Sequence, residues 1–338
     1  MNLSERVTLL KNAHYILQNL KKEEKEELFF KAKCENPWFV ETSMNTAFNG
    51  IVTLLNPIAL DSFLKKYSIS EKEVQQKKVG LILAGNIPGV GFHDILIAFL
   101  AGYISQIKYS SQDQVLIKFI LQIICEPMPE AKFYFEEVER LDLGNVNTVI
   151  ATGSNNSSRY FESYFSKVPN IIRKNRTSVA FLTGEETSDQ LKKLGDDIFT
   201  YFGLGCRNVS KLFVPKGYDF TRFFEAIESF KTHAQFFKFE NNYAYRKSIY
   251  LVNQTPHLDN GFLLLKSDES FHAPIGTLYY EEYDDEKTLL GQLESNKLEI
   301  QCVVGNDREI AFGNTQSPSI FDFADNVDTL DFLLNQSS

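Results

Sequence analysis

From Lys78 onward, short β-branched and aliphatic runs alternate with segments of helical periodicity. That alternation constrains the fold more than any other feature of the chain. Residues 79–84, 105–109, 148–151 and 178–182 read as strands, and 92–103, 113–124 and 157–168 read as the helices between them. A strand that returns to its sheet through a helix lies parallel to the strand before it. The pattern therefore predicts a parallel sheet covered on both faces, with ligands at the carboxyl ends of its strands. Beyond residue 210 it resumes, with a helix over 220–230, strands over 245–252, 262–266, 277–280 and 299–304, and a helix over 286–294. Residues 254–261 read as a polar turn. The fold class is α/β, and 338 residues suffice for two such units.

The first third has a different texture. Leu3, Val7, Leu10, Ala13, Leu17 and Leu20 mark an amphipathic helix, and the charged run 21–27 is expected to close it. Asn36-Pro37-Trp38-Phe39 breaks the pattern before a second helical tract over 43–67. Residues 1–77 are therefore expected as a helical N-terminal segment packing on the domain that follows, with an α/β domain over 78–177 and a second over 178–338. The most apolar run, 79–104, is interrupted by Gly85-Asn86-Ile87-Pro88-Gly89 and contains His93 and Asp94. It reads as strand, turn and buried helix, and no membrane span is expected.

A net charge of −9 without a Lys/Arg cluster argues against nucleic-acid binding, which depends on neutralising phosphates. The four cysteines, Cys34, Cys125, Cys206 and Cys302, are scattered and make no metal-ligand spacing, so no metal is expected. The polar start of the chain has no signal-peptide character, which points to the cytoplasm and reduced thiols.

One cysteine stands out. In Tyr201-Phe202-Gly203-Leu204-Gly205-Cys206-Arg207-Asn208, Leu191, Leu194, Ile198 and Phe202 recur at helical spacing upstream, and Val209, Leu212 and Val214 read as a strand downstream. Cys206 is thus expected on a glycine-permitted elbow, presented for nucleophilic chemistry. Arg207 and nearby loop N–H groups could favour its thiolate, the reactive form. A small buried side chain is the alternative reading.

Three further loops follow predicted strands. Gly85-Asn86-Ile87-Pro88-Gly89-Val90-Gly91 opens a helix as a phosphate loop would, yet matches neither G-x-G-x-x-G nor the Walker A pattern. Asn86 is either an amide donor to a developing oxyanion or an ordinary turn residue. Lys108-Tyr109-Ser110-Ser111 places an amine at a strand end, within reach of a ribose or phosphate. Thr152-Gly153-Ser154 leads into a helix, which suits a pyrophosphate on backbone N–H groups and equally a plain helix cap. The histidines suggest no site, and no G-x-S-x-G is present.

Together these stretches resemble the aldehyde dehydrogenase superfamily, and within it the LuxC-like acyl-CoA reductase branch. Ala84-Gly85-Asn86-Ile87-Pro88 is similar to the family's Pro-Trp-Asn-x-Pro, Lys108-Tyr109-Ser110-Ser111 to Lys-Pro-Ser-Glu, and Thr152-Gly153-Ser154 to its Thr-Gly-Ser cofactor loop. Cys206 falls where the nucleophile belongs. Glu269-Ser270-Phe271-His272-Ala273-Pro274 resembles Glu-x-Phe-Gly-Pro with one residue inserted. The resemblance implies two Rossmann-like parallel α/β domains behind a helical N-terminal segment. Cys206 and Asn86 are then the catalytic residues, and Lys108, Ser111, Thr152, Gly153, Ser154 and Glu269 bind the cofactor. Where most aldehyde-oxidising members have Glu-Leu-Gly-Gly-Lys, this chain has Arg173-Lys174-Asn175-Arg176-Thr177. The missing base points to reduction of an acyl-CoA thioester to an aldehyde, in a chain that exchanges its acyl group with a thiol. Ser111 in place of a ribose-binding glutamate favours NADPH over NADH. Use of another acyl donor, aldehyde oxidation, and a non-catalytic scaffold remain alternatives. An oligomeric or acyl-transfer partner is possible on the same resemblance.

Overall fold

The computed structural model describes residues 1–67, 69 and 77–336. The chain forms two compact units, one of Met1–Asn175 with Pro318–Ser338, the other of Arg176–Ser317.

The first unit starts with four helices: α1 (Leu3–Gln18), α2 (Lys22–Glu35), α3 (Glu41–Leu54) and α4 (Pro57–Leu64). Asn2 and Glu5 form a reciprocal capping box that fixes the start of α1. Asn56 caps α4, with Pro57 at its first position. The charged run 21–27, expected to close α1, instead opens α2. Its charges line the exposed side of that helix while Leu28, Phe29 and Ala32 face inward.

The alternating part follows as β1 (Lys78–Ile82), α5 (Phe92–Ala101), β2 (Ile104–Lys108), α6 (Val115–Cys125), β3 (Phe135–Glu137), β4 (Thr148–Thr152), α7 (Asn155–Tyr164) and β5 (Asn170–Arg173). The strand order is β3-β2-β1-β4-β5, and all pairs are parallel. Chain direction across the sheet reverses between β1 and β4, which makes their carboxyl ends a topological switch point. One face packs α1, α3, α5 and α6 in a continuous core containing Leu10, Met44, Phe63, Leu96, Phe99 and Ile120. The N-terminal helices therefore belong to this core. The strands β3 and β5 are too short for the sequence pattern to reveal.

The second unit contains β6 (Thr177–Phe181), α8 (Ser188–Phe199), β7 (Val209–Pro215), α9 (Thr221–Ile227), α10 (Lys231–Ala234), α11 (Phe237–Val252), β8 (Leu258–Asp259), β9 (Leu264–Ser267), β10 (Thr277–Tyr283), α12 (Glu286–Ser295) and β11 (Ile300–Val304). Its sheet runs β11-β6-β7-β10-β9-β8, parallel except at the edge pair β8–β9. The expected strand over 245–252 is the end of α11. Its apolar residues Tyr245, Leu251 and Val252 are exposed, while Phe239, Tyr243 and Tyr250 are buried at helical spacing. Tertiary burial selects the helix. The polar turn over 254–261 contains the two residues of β8.

The final helix, α13 (Thr329–Asn335), packs on α5, and Tyr103 donates a hydrogen bond to the Leu333 carbonyl at 2.9 Å. Residues 318–338, expected with the second domain, lie in the first unit because Leu330 and Leu333 complete its core. Among the described residues no single helix is long and apolar enough to cross a membrane; α3 and α4 meet that test only as a pair bent by 53°. The 79–104 run is β1, a turn and the buried α5. Asp94 sits inside it because Arg173 pairs with its carboxylate at 2.6 Å and also donates to Thr329 at 3.0 Å.

Candidate active site

The 85–91 loop joins β1 to α5 and raises Asn86 to an exposed position. Gly85 and Gly89 are needed there for close approach. A Cβ on Gly85 would collide with Ser110, and one on Gly89, whose φ is +68°, would lie 2.7 Å from Ile51 Cδ1. Gly85 thus brings the Asn86 loop against the loop that follows β2.

Lys108 ends β2 at the register level of Ile82, and Ala151 of β4 stands at the same level on the other side. Asn86, Lys108, Ser111, Thr152, Gly153 and Ser154 therefore share the carboxyl edge of three adjacent strands. The Lys108 side chain is half-buried and has no hydrogen-bond or ion-pair partner among the described residues, while Ser111 is exposed. Ser154 caps α7 by accepting from Ser157 N–H at 3.3 Å. An unpaired ammonium beside hydroxyls and a helix N-terminus suits an anionic ligand. These residues fit the phosphates of a dinucleotide.

Cys206 lies on the turn between α8 and β7, half-buried. Thr187 and Gln190 start α8 with a capping box. Phe202, expected within the helix, lies beyond it at φ +56°, followed by Gly203 at +80°, and these two residues reverse the chain. Phe202 stacks on His233 at 4.3 Å between ring centroids. Burial pushes the His233 imidazole below its ordinary pKa, leaving it a neutral stacking partner.

Side chains fix the rest of the turn. Asn208 is buried; its Oδ1 accepts from Gly205 N–H at 2.9 Å, and its Nδ2 donates to the carbonyls of Asp197 and Ile198 at 3.2 Å each. Ser178 donates to the Cys206 carbonyl at 3.1 Å. Arg207 reaches the Thr315 carbonyl at 3.5 Å. Asp197 in turn accepts from Gly313 N–H, Thr315 N–H and the Thr315 hydroxyl, and burial pushes its carboxyl up to about 6. Asn208, the centre of this lattice, escaped the sequence reading. An Asn two residues after the cysteine shows its role only once the helix end folds over it.

The β6–β7 register shifts at the start of β7, so that Ser210 is the extra, bulged residue. Ser210 donates to the Phe271 carbonyl at 2.5 Å and bonds Thr177 at 2.6 Å. Lys211, fully buried, donates to the Glu269 carbonyl at 2.8 Å and pairs with Glu281 at 2.5 Å. The segment containing Glu269 and Phe271 is thereby tethered to the strand that follows Cys206, with the Glu269 side chain exposed. A small cavity of about 20 Å³ beside the turn is lined by residues including Phe202, Gly203, Val209, Phe239 and Thr277. The buried Thr277 hydroxyl has no partner there among the described residues, and a water would supply one. Of the other cysteines, Cys34 is exposed on α2, Cys302 is buried, and burial pushes the Cys125 thiol up to about 11.

A family model described as acyl-CoA reductase (LuxC) matches residues 21–228. No curated protein sequence matches significantly. Many solved structures share the fold. Aldehyde dehydrogenase 21 from Physcomitrella patens, in complex with the reaction product succinate, superposes with a TM-score of 0.65 at 11% identity, covering 100% of this chain and 85% of that one. An aldehyde dehydrogenase from Bacillus cereus, in complex with NAD+, gives 0.64 at 12% identity over 90% and 72%. Glyceraldehyde-3-phosphate dehydrogenase GapN from Methanocaldococcus jannaschii, in complex with NADP, gives 0.58 at 14% identity over 90% and 76%. At these identities the likeness is one of fold.

Proposed function

The chain belongs to the acyl-CoA reductase (LuxC) family of oxidoreductases, and on that premise we propose that it reduces an acyl-CoA thioester to an aldehyde with NADPH through a Cys206 acyl-enzyme. The observation that carries the reading is the Cys206 turn. Its carbonyl, the preceding glycine and the following asparagine are all held by hydrogen bonds, while the cysteine stays half-exposed. A nucleophile held in place before substrate arrives loses little entropy on reaction.

The Cys206 thiolate attacks the thioester carbonyl carbon. A new C–S bond forms, and the oxyanion takes hydrogen bonds from the Cys206 backbone N–H and the Asn86 amide, the latter proposed from the family motif. The tetrahedral species collapses with cleavage of the bond to coenzyme A, which leaves as a thiolate. The nicotinamide cofactor, when bound, supplies a hydride. After reduction of the acyl carbon, Cys206 holds a thiohemiacetal. Cleavage of its C–S bond, with proton transfer from the hydroxyl, releases aldehyde and restores the thiolate. Lys108 and Ser111 are proposed at the adenosine ribose, where an ammonium and no carboxylate favour a 2′-phosphate. Thr152, Gly153 and Ser154 are proposed at the pyrophosphate, and Glu269 at the nicotinamide ribose.

The position aligned with the family's general base supports transfer to a thiol in place of hydrolysis. Arg173 there is a buried cation paired with Asp94, so it cannot activate water. The test is cofactor oxidation with acyl-CoAs of increasing chain length, using NADPH and NADH in parallel, for the wild type and Cys206→Ala. The expected result is NADPH consumption that needs both an acyl-CoA and Cys206. Turnover retained by Cys206→Ala, or equal efficiency with NADH, would overturn the corresponding part of the reading.

A further inference from the structure

Asn86 lies on a stretch that contains three glycines within seven residues, a composition that favours a mobile backbone. The structure holds this stretch on both sides of Asn86. Before it, Asn36, buried at the end of α2, donates from Nδ2 to the Gly85 carbonyl at 3.0 Å, while its Oδ1 accepts from Trp38 N–H at 3.1 Å. After it, Gly89 N–H donates to Asp113 Oδ2 at 2.9 Å. Ile51 of α3 closes over Gly89. Glu35, next to Asn36, accepts from Gln114 and Val115 N–H at 2.9 and 3.0 Å, fixing the start of α6 beside Asp113. Asp113 is 1% exposed, and its Oδ1 has no partner among the described residues. A carboxyl buried at such a desolvation cost is kept for the bond it makes, and that bond goes to the Asn86 loop.

We propose that Asn36 and Asp113 are positioning residues that clamp the two sides of the Asn86 loop, so that the N-terminal helical segment takes part in catalysis by holding the oxyanion donor in place. The inference rests on the reading in which Asn86 donates to the oxyanion. A donor fixed in advance stabilises the transition state without paying an ordering cost in each turnover, and a misplacement of about 1 Å costs on the order of 100-fold.

The experiment measures kcat, acyl-CoA KM and melting temperature for Asn36→Ala, Asp113→Ala, Asp113→Asn and Asn86→Ala, and for Asn36→Ala and Asp113→Ala in the Asn86→Ala background. Asn36→Ala and Asp113→Ala are expected to lower kcat by about 10- to 100-fold, with KM changed less than about threefold. Asp113→Asn keeps an oxygen acceptor for the Gly89 amide and is expected to recover most of that loss. In the Asn86→Ala background the clamp substitutions are expected to cost no further kcat, because they act through Asn86 alone. A melting temperature lowered without loss of kcat per folded enzyme would overturn the clamp, as would full additivity with Asn86→Ala. If Asp113→Ala does not fold, Asn36→Ala and Asp113→Asn decide the matter. Wild-type kcat in Asn86→Ala would instead overturn the oxyanion reading itself, a result distinguishable from failure of the clamp.

Discussion

The candidate residues of the first unit and Cys206 of the second lie at opposite edges of their sheets. In the first unit, Asn86, Lys108, Ser111 and the 152–154 stretch all follow strands, at the carboxyl edge. In the second, Cys206 precedes β7, and its neighbours Thr177 and Ser178 begin β6, at the amino edge. The first arrangement is the general one for α/β sheets, where loops and helix N-termini offer backbone donors to a ligand. The second offers no such generic donors. It is built from side chains: Asn208, Ser178, the bulged Ser210 and the buried Lys211. In this chain the carboxyl edge offers backbone groups by geometry alone, whereas the Cys206 turn at the other edge is held by a lattice of side-chain hydrogen bonds.

The sharpest way to break this contrast is at the proposed nucleophile. Cys206→Ala should lower acyl-CoA reduction by about 1,000-fold or more while cofactor binding, measured by calorimetry, changes little. Loss of binding together with turnover would mean that the two edges are not separable in function. Next in size is the first unit's buried ion pair. Arg173→Met leaves Asp94 charged and unpaired in the core and should cost about 3–5 kcal/mol in urea unfolding. Asn208→Ala, which removes three hydrogen bonds at a buried site, should cost about 2 kcal/mol and lower kcat more than KM. An unchanged kcat would show that the lattice stabilises the turn without presenting the thiol.

A smaller effect separates the units by pH. Burial, aided by the charge of Glu35, pushes the Asp113 carboxyl up to about 8, and burial pushes Asp197 up to about 6. An acid whose pKa is higher in the folded state holds its proton more tightly there. Its contribution to stability is greatest near or below the unfolded value of about 3.9 and falls as pH rises toward the folded value. Asp113→Asn should therefore flatten the decline of melting temperature between about pH 4 and 8, and Asp197→Asn only the part between about pH 4 and 6. The reverse assignment of the two windows would break the comparison. Smallest of all, Glu269→Gln should raise the KM for the nicotinamide cofactor by about tenfold or less, roughly the worth of one hydrogen bond.

Local signals were legible where one interaction dominates. The helical spacing of Leu191, Leu194 and Ile198, the glycines around Leu204, and the strand beginning at Val209 placed Cys206 on its elbow. The carboxyl-end loops could be read because a strand-to-helix connection has few residues to choose among. The C-terminal end of α11 misled for the opposite reason. Tyr245, Ile249 and Val252 favour strands intrinsically, and only packing of Phe239, Tyr243 and Tyr250 decides for helix.

By itself the sequence determined the alternation of strand and helix around β1, β2, β4, β6 and β7, the α/β class, and the residues that stand in the loops between them. Those properties follow from periodicity and turn chemistry within a few residues. The tertiary structure alone decided that Asn36 meets Gly85, that Asp113 meets Gly89, that Asn208 closes over the end of α8, and that α13 returns to the first unit. Each of those contacts joins a buried polar group or an apolar face to a partner specified only when the chain has folded. Their energy depends on burial, which no local stretch of sequence encodes.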